Sequence, residues 1–374
     1  MSAPSRADLH VHTTFSDGTL TPEDVLNYYA VFPELHVVAI TDHDTLDGAL
    51  RVRDYRDAHP DVFSDLEVVV GEEVSSRDGH IVGLFLEHWV PPGLPAAETI
   101  ARIHDQRGLA VAVHPYTHLL PFTDLKGVKG LILTLPFDAV ETRNGNITEW
   151  YANHWTAWRA RSRGLCEVGA SDGHFQEAIG RCYTLFEGRT ARDLRTAIER
   201  RATRAAGRVY GPVTLSRYLL RRWRAGKPLV PDRHEYRYEA GHGALQVRVS
   251  GASSLHAMVL HAEGTLDERT TGEFKEKVVA IPGSGIDLVL GLAGVTRLDA
   301  AGVAGLIAGH KAAERCGTRV VIAAPSASVL GVLQATGLDR GFEIYGSERE
   351  ALEAIAAHTV APVPQARPGQ GTST

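Results

Sequence analysis

The sequence predicts an α/β protein in which a parallel α/β barrel precedes a smaller α/β region. Short apolar runs alternate with helical patterns over residues 7–188, as in a barrel built from repeated βα units. A second alternation of the same kind follows between residues 245 and 357. The chain has 374 residues, and domains usually contain roughly 100–200, so two domains are expected.

Apolar runs in the first region predict about seven strands, at residues 9–11, 37–40, 66–70, 81–86, 109–113, 139–140 and 165–169. Helical patterns lie at residues 22–31, 46–58, 95–107 and 191–206. The first of these helices has Thr21 as its N-cap and Pro22 in its first turn, where both residue types are favoured.

The second region begins after a basic helix at residues 215–225 and a segment rich in Pro, Gly and Tyr at 228–243. Its predicted strands are residues 245–250, 255–261, 286–292 and 318–323, and its predicted helices are 267–280, 300–313, 326–336 and 348–357. We therefore predict a barrel at 1–210, a basic helix and linker at 211–243, a second domain at 244–357 and a disordered tail at 358–374.

The composition excludes several classes of protein. No apolar run approaches the roughly 20 residues of a membrane-spanning helix, so no membrane association is expected. The polar first residues do not resemble a signal peptide, and the three cysteines lie far apart without a CxxC motif. A cytoplasmic protein without disulfides is the simplest expectation.

Charge is unevenly distributed along the chain. Residues 189–227 contain twelve basic and two acidic residues, a local charge of +10 in a chain whose net charge is −6. This basic stretch is expected to be a solvated helix face and linker, or alternatively a docking strip for an anionic partner.

Histidine is abundant, and twelve of the 18 histidines precede residue 175. Many of them lie where predicted strands end, together with carboxylates. Alternating residues of a strand share a face, so Asp8, His10 and His12 are expected to point the same way. Active-site groups of parallel barrels lie at the carboxyl ends of strands, which makes this distribution typical of a functional site. The other candidates are Asp17, His43, Glu73, His80, His114, Asp172 and His174.

These residue types indicate the chemistry. Imidazoles and carboxylates without thiolates suit Zn²⁺, Mn²⁺ or Fe²⁺. Nine ligands are too many for one ion, and adjacent metal ions favour in-line displacement at phosphorus. The residues therefore predict a multinuclear metal hydrolase acting on a phosphate ester, with amide or C–N hydrolysis as the main chemical alternative.

The same motifs, in the same order over residues 7–205, resemble the PHP (polymerase and histidinol phosphatase) family. The resemblance rests on His10-Val-His12-Thr-Thr-Phe-Ser-Asp17-Gly18, Thr41-Asp42-His43-Asp44-Thr45, Gly71-x-Glu73-Val-Ser75, His80-Ile-Val-Gly, Ala112-Val-His114-Pro115 and Ser171-Asp172-x-His174. It implies a distorted (β/α)₇ barrel, phosphoesterase activity and a site for three divalent metal ions (Mn, Fe or Zn).

Carried over motif by motif, the resemblance implies three ligand sets that share Glu73. The first metal would be bound by His10, His12, Glu73 and Asp172, the second by Asp17, His43 and His174, and the third by Glu73, His80 and His114. The family has a single Glu between the Gly and the hydrophobic-Ser pair, which selects Glu73 over its neighbour Glu72.

Five further polar residues are candidates for supporting roles. Arg143 and Asn144 follow the sixth strand and are expected to contact phosphate or substrate, or else to form a structural turn. Arg181 is another candidate phosphate contact. Asp8 is expected to orient His10 or His12 from behind, and Asp44 to be either a helix N-cap or a catalytic acid.

One departure from the family affects the substrate. The nucleotide-processing branch commonly has a helical insert before the His-Pro motif. Here His80 and His114 are only 34 residues apart, and His114 and Asp172 only 58. We therefore expect a more open pocket, and the identity of the phosphoester cannot be carried over.

The second region resembles the STAS domain of bacterial anti-sigma factor antagonists over residues 244–357. The resemblance rests on the strand–turn–helix that contains Asp299-Ala300-Ala301-Gly302, followed by Gly317-Thr-Arg-Val-Val-Ile and the Gly337-Leu338 segment. STAS proteins of that class switch by phosphorylation of a hydroxyl in this turn, and alanine cannot accept phosphate. The domain is expected to bind an anti-sigma-type or other signalling partner constitutively, to respond by another route, or to serve only for dimerisation.

Three hypotheses describe the whole protein. The first is a metal-dependent phosphoesterase for a nucleotide, oligonucleotide or small phosphomonoester, tethered or regulated by its STAS-like domain. The second is a signalling scaffold whose barrel binds metal without turnover. The third is a nuclease in which the basic stretch 189–227 follows a nucleic-acid backbone.

Overall fold

The computed structural model describes residues 4–30, 34–117, 127–224, 245–252, 257–283 and 285–359. The chain divides into two compact units, Met1–Gly251 and Ala252–Thr374. The predicted linker at 228–243 and residues 360–374 of the predicted tail lie outside the described residues, whereas residues 358 and 359 belong to the last helix.

The first unit is built on a nine-stranded sheet that curves into a nearly closed barrel. Its strands are β1 (Ser5–Asp8), β2 (Leu35–Ile40), β3 (Glu67–Ser76), β4 (Gly79–Leu84), β5 (Leu109–Ala112), β6 (Ala139–Asn144), β7 (Glu167–Ala170), β8 (Cys182–Phe186) and β9 (Arg204–Gly207). They follow the order β7-β6-β5-β4-β3-β2-β1-β8-β9. The sheet closes where the Thr184 hydroxyl accepts from Gly169 N at 3.0 Å and donates to Gly169 O at 2.8 Å.

The described residues of this unit form six α-helices: α1 (Pro22–Tyr29), α2 (Asp47–Ala58), α3 (Ala96–Asp105), α4 (Trp150–Ser162), α5 (Ala191–Glu199) and α6 (Pro212–Arg224). Thr21 caps α1 by accepting from Asp24 N at 3.2 Å, as its sequence position predicts. One-turn 3-10 helices lie at Lys129–Leu133 and Ile147–Glu149.

Strand β2 shows how the unit packs. Val37 and Ala39 lie in a core cluster with side chains from strands all around the sheet, which is the barrel interior. Val38 and Ile40 point the other way and pack against α1 and α2. Because both faces of the strand are buried, the run is continuously apolar, as is typical of parallel barrel strands.

The α/β fold class is confirmed, with a barrel that is not uniformly parallel. β4 runs antiparallel to both β3 and β5. Only Arg77 and Asp78 separate β3 from β4, and a two-residue connection can join only antiparallel strands. The predicted helix 191–206 is wrong beyond Glu199, because the chain turns into edge strand β9 there.

The second unit contains a five-stranded sheet in the order β10-β11-β12-β13-β14. Its strands are β10 (Leu245–Ala252), β11 (Ala257–Leu266), β12 (Asp287–Leu298), β13 (Val320–Ala323) and β14 (Glu343–Tyr345), and the last four are parallel. Its helices are α7 (Thr271–Gly283), α8 (Ala300–Cys316), α9 (Ala327–Ala335) and α10 (Glu348–Thr359), with one 3-10 turn at Leu338–Arg340. The boundary between the two units, after Gly251, falls inside β10. The first strand of this sheet therefore begins before the boundary.

In the second unit, small residues allow α8 to approach α7. A Cβ added at Gly309 would lie 2.2 Å from a methyl carbon of Val278, so only glycine fits at this crossing. The helices within the described ranges include none that is long and apolar enough to span a membrane.

Candidate metal centre

The predicted ligands converge at one end of the barrel. His10 and His12 follow β1 in an extended segment between β2 and β7. His12 N donates to Gly173 O at 3.0 Å, and Gly173 N donates to His10 O at 3.2 Å. On the other side, Thr41 N donates to Val11 O at 2.9 Å. The backbone thus fixes both imidazoles next to the segment that carries Asp172 and His174.

Glu73 lies at the middle of the cluster and is fully buried. Its Oε2 atom lies 2.9 Å from His10 Nε2, 3.2 Å from His12 Nε2 and 3.4 Å from His43 Nδ1. Its Oε1 atom lies 2.8 Å from His80 Nδ1 and 3.0 Å from His114 Nε2. One carboxylate therefore contacts five imidazoles, which is the position of a bridging ligand. The neighbouring Glu72 instead accepts from Val90 N at 2.9 Å.

Two further carboxylates complete the cluster. Asp172 Oδ1 lies 3.4 Å from His12 Nε2 and 3.5 Å from both His10 Nε2 and His174 Nδ1. Asp17 Oδ1 lies 3.1 Å from His174 Nε2 and 3.6 Å from His12 Nδ1. All nine predicted ligands are therefore in one continuous network.

The network contains four groups of ligand atoms in which all atoms lie within 4.8 Å of one another. They are His10, His12 and Asp172; His12, Asp17, His43 and His174; His10, Glu73 and His114; and His43, Glu73 and His80. The first two resemble the first and second predicted ligand sets. His80 and His114 fall in separate groups, although both contact Glu73 Oε1, so the assignment of ligands to individual ions stays a prediction.

The donor set fits divalent metal ions. Among the described residues, His12 Nε2, His43 Nδ1 and His174 Nε2 are buried ring nitrogens without a hydrogen-bond partner. Leaving buried polar atoms unpaired is costly, and such atoms usually have a role that explains them. Imidazole nitrogens and carboxylates facing one another in a buried cluster are the ligands that Zn²⁺, Mn²⁺ and Fe²⁺ accept.

Neighbouring histidines favour the ionised form of the buried carboxylates, which is the form that binds cations. Burial alone would raise the pKa of Glu73, but the nearby His43 and His10 hold it well below its usual range. The same balance, with His10 as the main opposing charge, lowers the pKa of Asp172. Burial lowers the pKa of His43 to about 3, which favours the neutral imidazole that binds metal.

His12 differs from His43. Burial again opposes the charged form, but the neighbouring Asp172 and Glu73 raise the pKa of His12 to about 10. A metal ion bound at His12 near neutral pH therefore has to displace a proton.

The antiparallel direction of β4 explains why His80 joins the cluster. His80 is near the amino end of its strand, which lies at the carboxyl ends of the neighbouring strands because β4 runs against them. His80 pairs with Ser75 across the ladder, so its side chain is on the same face as Glu73.

Three residues at the site have left-handed backbone conformations without being glycine. They are Asp44 (φ 54°), His114 (φ 27°) and Asp172 (φ 51°). Such conformations are costly and concentrate at functional sites, where surrounding contacts enforce them. At His114 the enforcing contact is a hydrogen bond from its backbone N to Glu141 Oε2 at 2.8 Å.

Two buried carboxylates support the cluster, and the sequence did not assign these roles. Glu141 Oε1 lies 3.3 Å from His10 Nδ1, so Glu141 orients the ring whose other nitrogen faces Glu73. Asp42 accepts from Thr13 N at 2.7 Å and from Ser16 Oγ at 2.6 Å, and it thereby fixes the loop that carries Asp17. The available signal was their position beside predicted ligands at the ends of strands.

Two predicted supporting roles are wrong. Asp8 accepts from Tyr29 Oη at 2.7 Å and from Ser171 N at 2.8 Å, so it ties β1 to α1 and β7 instead of orienting a histidine. Asp44 is not a helix N-cap, because α2 begins at Asp47 and Asp44 accepts from Ser75 N at 2.7 Å. Its alternative role as a catalytic acid stays a prediction.

The three candidate substrate contacts have other partners. Arg143 donates to Gly207 O on β9 at 3.2 Å, and Arg181 Nε donates to Glu177 O at 2.9 Å. Asn144 Nδ2 donates to Glu141 Oε2 at 2.9 Å and to Asp172 Oδ2 at 3.2 Å. Asn144 therefore supports a predicted ligand, and the structure adds no support for phosphate contacts by the two arginines.

In the second unit, the turn at Asp299 is a helix start. The Asp299 carboxylate accepts from Ala301 N at 2.8 Å and from Gly302 N at 3.2 Å and caps α8. The two alanines of this turn place no hydroxyl at the start of the helix.

Comparison with known families agrees with these two units. A family described as PHP-associated matches residues 151–203, and the STAS domain family described as Mlab, STAS domain matches residues 249–346.

Two curated relatives each match part of the chain. Uncharacterized protein MJ1587 of Methanocaldococcus jannaschii is 35% identical over 160 residues, which cover 40% of this chain and 87% of the relative. A 5′-3′ exoribonuclease of Haemophilus influenzae is 30% identical over 108 residues, which cover 28% of this chain and 37% of that enzyme.

Solved structures resemble each unit separately. A Bifidobacterium adolescentis protein described as a candidate metal-dependent phosphoesterase aligns with 57% of this chain and 100% of its own, at 18% identity and a TM-score of 0.38. An anti-sigma factor antagonist of Mycobacterium paratuberculosis aligns with 31% of this chain and 97% of its own, at 22% identity and a TM-score of 0.27.

Proposed function

Because the chain belongs to the PHP family and carries a STAS domain, we propose that it is a phosphatase or exonuclease-like phosphoesterase with a trinuclear metal site. The observation that carries this proposal is the buried Glu73 carboxylate in contact with five imidazoles. A signalling scaffold needs no such shared carboxylate, whereas hydrolysis at phosphorus uses adjacent ions that a bridging ligand links.

Divalent ions bound here would polarise a phosphoryl oxygen and make water a stronger nucleophile at neutral pH. The chain's own residues hold this arrangement. Glu141 fixes the ring of His10, and Asn144 fixes the carboxylate of Asp172. Burial of these carboxylates excludes bulk water and strengthens their attraction for cations.

We propose in addition that the STAS domain binds a signalling partner without the phosphorylation switch at its helix start. Asp299 and the backbone amides it caps are present, but residues 300 and 301 are alanines. A phosphorylated hydroxyl would add about −1.5 to −2 charges at this helix start, and this chain cannot acquire them there.

The test combines metal analysis with phosphate release. Protein loaded with Mn²⁺, Fe²⁺ or Zn²⁺ is assayed on mononucleotides, 3′,5′-bisphosphates, short oligonucleotides and sugar phosphates. The variants are His12→Ala and Asp172→Ala, with the exposed His88→Ala as the matched histidine control. We expect at least two ions per chain and a loss of activity in both variants that exceeds the roughly 10–100-fold typical of residues that only orient ligands.

His88→Ala should keep full activity. Fewer than two bound ions, or full activity in both ligand variants, would contradict the phosphoesterase and favour the scaffold.

A further inference from the structure

The outward face of α4 is unusually rich in exposed aromatic rings. Tyr151 is 61% exposed, Trp155 45% and Trp158 56%. Their spacing of four and then three residues places them on one face of the helix. The Trp155 and Trp158 rings are 5.0 Å apart between centroids, with an angle of 34° between their planes. Large aromatic surfaces of this kind in water mark interaction sites.

This aromatic face is joined to the metal centre at two points. Tyr116 lies two residues after His114, and its ring is edge-on to Trp155 with centroids 6.4 Å apart. At the base of α4, Asn153 Oδ1 accepts from Asn144 N at 2.8 Å, and Asn153 Nδ2 donates to Asn144 O at 2.9 Å. Asn144 in turn contacts the predicted ligand Asp172, so the face begins beside the cluster.

Positive charge is interleaved with these rings. The Arg159 guanidinium lies 5.6 Å from the centroid of Trp155 and 5.8 Å from that of Trp158. Its Nε is buried and has no hydrogen-bond partner within the described part of the chain. Residues 150–163 contain three arginines and no acidic residue. Such a face complements a ligand that is both aromatic and anionic.

A second basic element borders the same end of the barrel. Helix α6 carries four arginines and no acidic residue, and its Arg217, Arg221 and Arg224 are exposed. Its Tyr218 stacks on Phe175, the residue after the predicted ligand His174, with centroids 4.3 Å apart and an angle of 15°. Positive charge therefore lies near the metal centre on this side as well.

Resting on the proposed phosphoesterase function, we propose that the substrate is a single-stranded nucleic acid whose bases stack on the aromatic face formed by Tyr116, Tyr151, Trp155 and Trp158. Stacking on aromatic rings next to arginines is how proteins bind single strands without reading their sequence. In the reaction, water adds to phosphorus, the bond from phosphorus to the nucleoside oxygen breaks, and a proton from the water ends on that oxygen. The flanking bases only hold the strand.

The test uses full-length protein with Trp155 and Trp158 both changed to Ala, to Leu or to Phe. Leu keeps apolar area without a π face, whereas Phe keeps a smaller π face. An eight-nucleotide 5′-phosphorylated single strand is compared with a sugar phosphate, which has no aromatic ring to stack. Binding is measured separately, without metal, by quenching of tryptophan fluorescence and by anisotropy of a labelled strand.

For the single strand, we expect kcat/KM of the Ala and Leu variants to fall by about tenfold for each of the two tryptophan rings removed. Most of this fall should come from a higher KM. Hydrolysis of the sugar phosphate should stay unchanged, and Phe should restore most of the loss. Strand binding should also weaken as salt rises from 50 to 200 mM, because phosphates release bound cations.

The outcomes separate the two proposals. If the sugar phosphate is hydrolysed and strand kinetics are equal in all variants, the proposed stacking on the aromatic face is wrong, whereas the proposed phosphoesterase activity is supported. If strand binding depends on the two tryptophans but no substrate is hydrolysed, stacking on the aromatic face is supported and the proposed phosphoesterase activity is wrong. If the aromatic face instead serves protein association, the Leu variant should behave like the wild type and the Ala variant should change its oligomeric state. That result would also contradict this proposal.

Discussion

Single residues determine whether the cluster can bind metal. Glu73 contacts five imidazoles with two oxygens, and these rings are useful only if each presents the correct nitrogen. For His10 that choice is made by Glu141, because a proton on Nδ1 facing a carboxylate leaves Nε2 free to bind metal. The same carboxylate accepts from His114 N and therefore positions two predicted ligands.

This arrangement predicts a specific effect of Glu141→Gln. The amide has a single acceptor oxygen, which cannot serve both the His10 ring and His114 N. We expect metal affinity to fall about 10–100-fold while the fold persists. Isothermal titration with Mn²⁺ or Zn²⁺ measures the affinity, and circular dichroism checks the fold.

Glu72→Gln is the matched control, since Glu72 is equally buried but accepts from Val90 N away from the cluster. Equal metal affinity in wild type and Glu141→Gln would show that Glu141 does not position these ligands.

Among the elements, the sequence predicted those with strong periodicity and missed those defined by tertiary pairing. The apolar runs at 37–40 and 109–113 correspond closely to β2 and β5. Edge strand β9 reads as the end of a helix, because Arg204–Gly207 has no alternation and forms a strand only by pairing with β8. The reversal of β4 was missed as well, because the predicted strands 66–70 and 81–86 leave ten residues between them, whereas only two residues separate β3 from β4.

The same limit applies to the site. Motif order identified all nine residues of the network, because eight of them follow a strand or lie near its start at one end of the sheet, and Glu73 lies in the part of β3 at the same end. Side-chain partners depend on packing between distant segments, such as Asp8 with Gly180 N, and could not be read from neighbouring residues.

Helix α2 begins so close to the site that its second residue has to be glycine. A Cβ added at Gly48 would lie 1.9 Å from Asp42 Oδ2 and 2.7 Å from Thr13 Oγ1. Asp42 fixes the loop of Asp17, so Gly48→Ala should displace that loop. We expect a loss of about 1–3 kcal/mol in stability, as for other overpacked sites, and one fewer metal ion bound.

Thermal unfolding and metal analysis measure these two effects. Gly130→Ala is the control, since a Cβ at that position has no atom of the described residues within 4 Å apart from its chain neighbours. If Gly48→Ala and Gly130→Ala gave the same stability and the same number of bound metal ions, the close contact with Asp42 would not affect the site.

At the scale of the whole molecule, the proposed metal site and the proposed partner-binding domain lie in different parts of the chain. All nine residues of the network precede the division after Gly251, and the STAS helix start follows it. Within residues 189–224, the described part of the basic stretch, three arginines have separate partners: Arg189 contacts His36, Arg195 lies over Phe85 and Arg221 pairs with Glu177. The part of it that bears on the site is α6.

This separation predicts how metal affects stability. An ion that binds only the folded barrel stabilises it by about 2.7 kcal/mol at a hundredfold excess over its dissociation constant. Calorimetry of the full chain should therefore resolve two unfolding transitions. Adding EDTA should lower the midpoint temperature only of the transition that belongs to the barrel. Asp299→Ala removes the N-cap of α8 and should lower the free energy of unfolding of the second unit by about 1 kcal/mol. The transition that this variant shifts is therefore the one that belongs to the second unit. A single transition would contradict the expected independent unfolding of the two units, and two transitions that EDTA moves by the same amount would show that metal binding is not confined to the first unit.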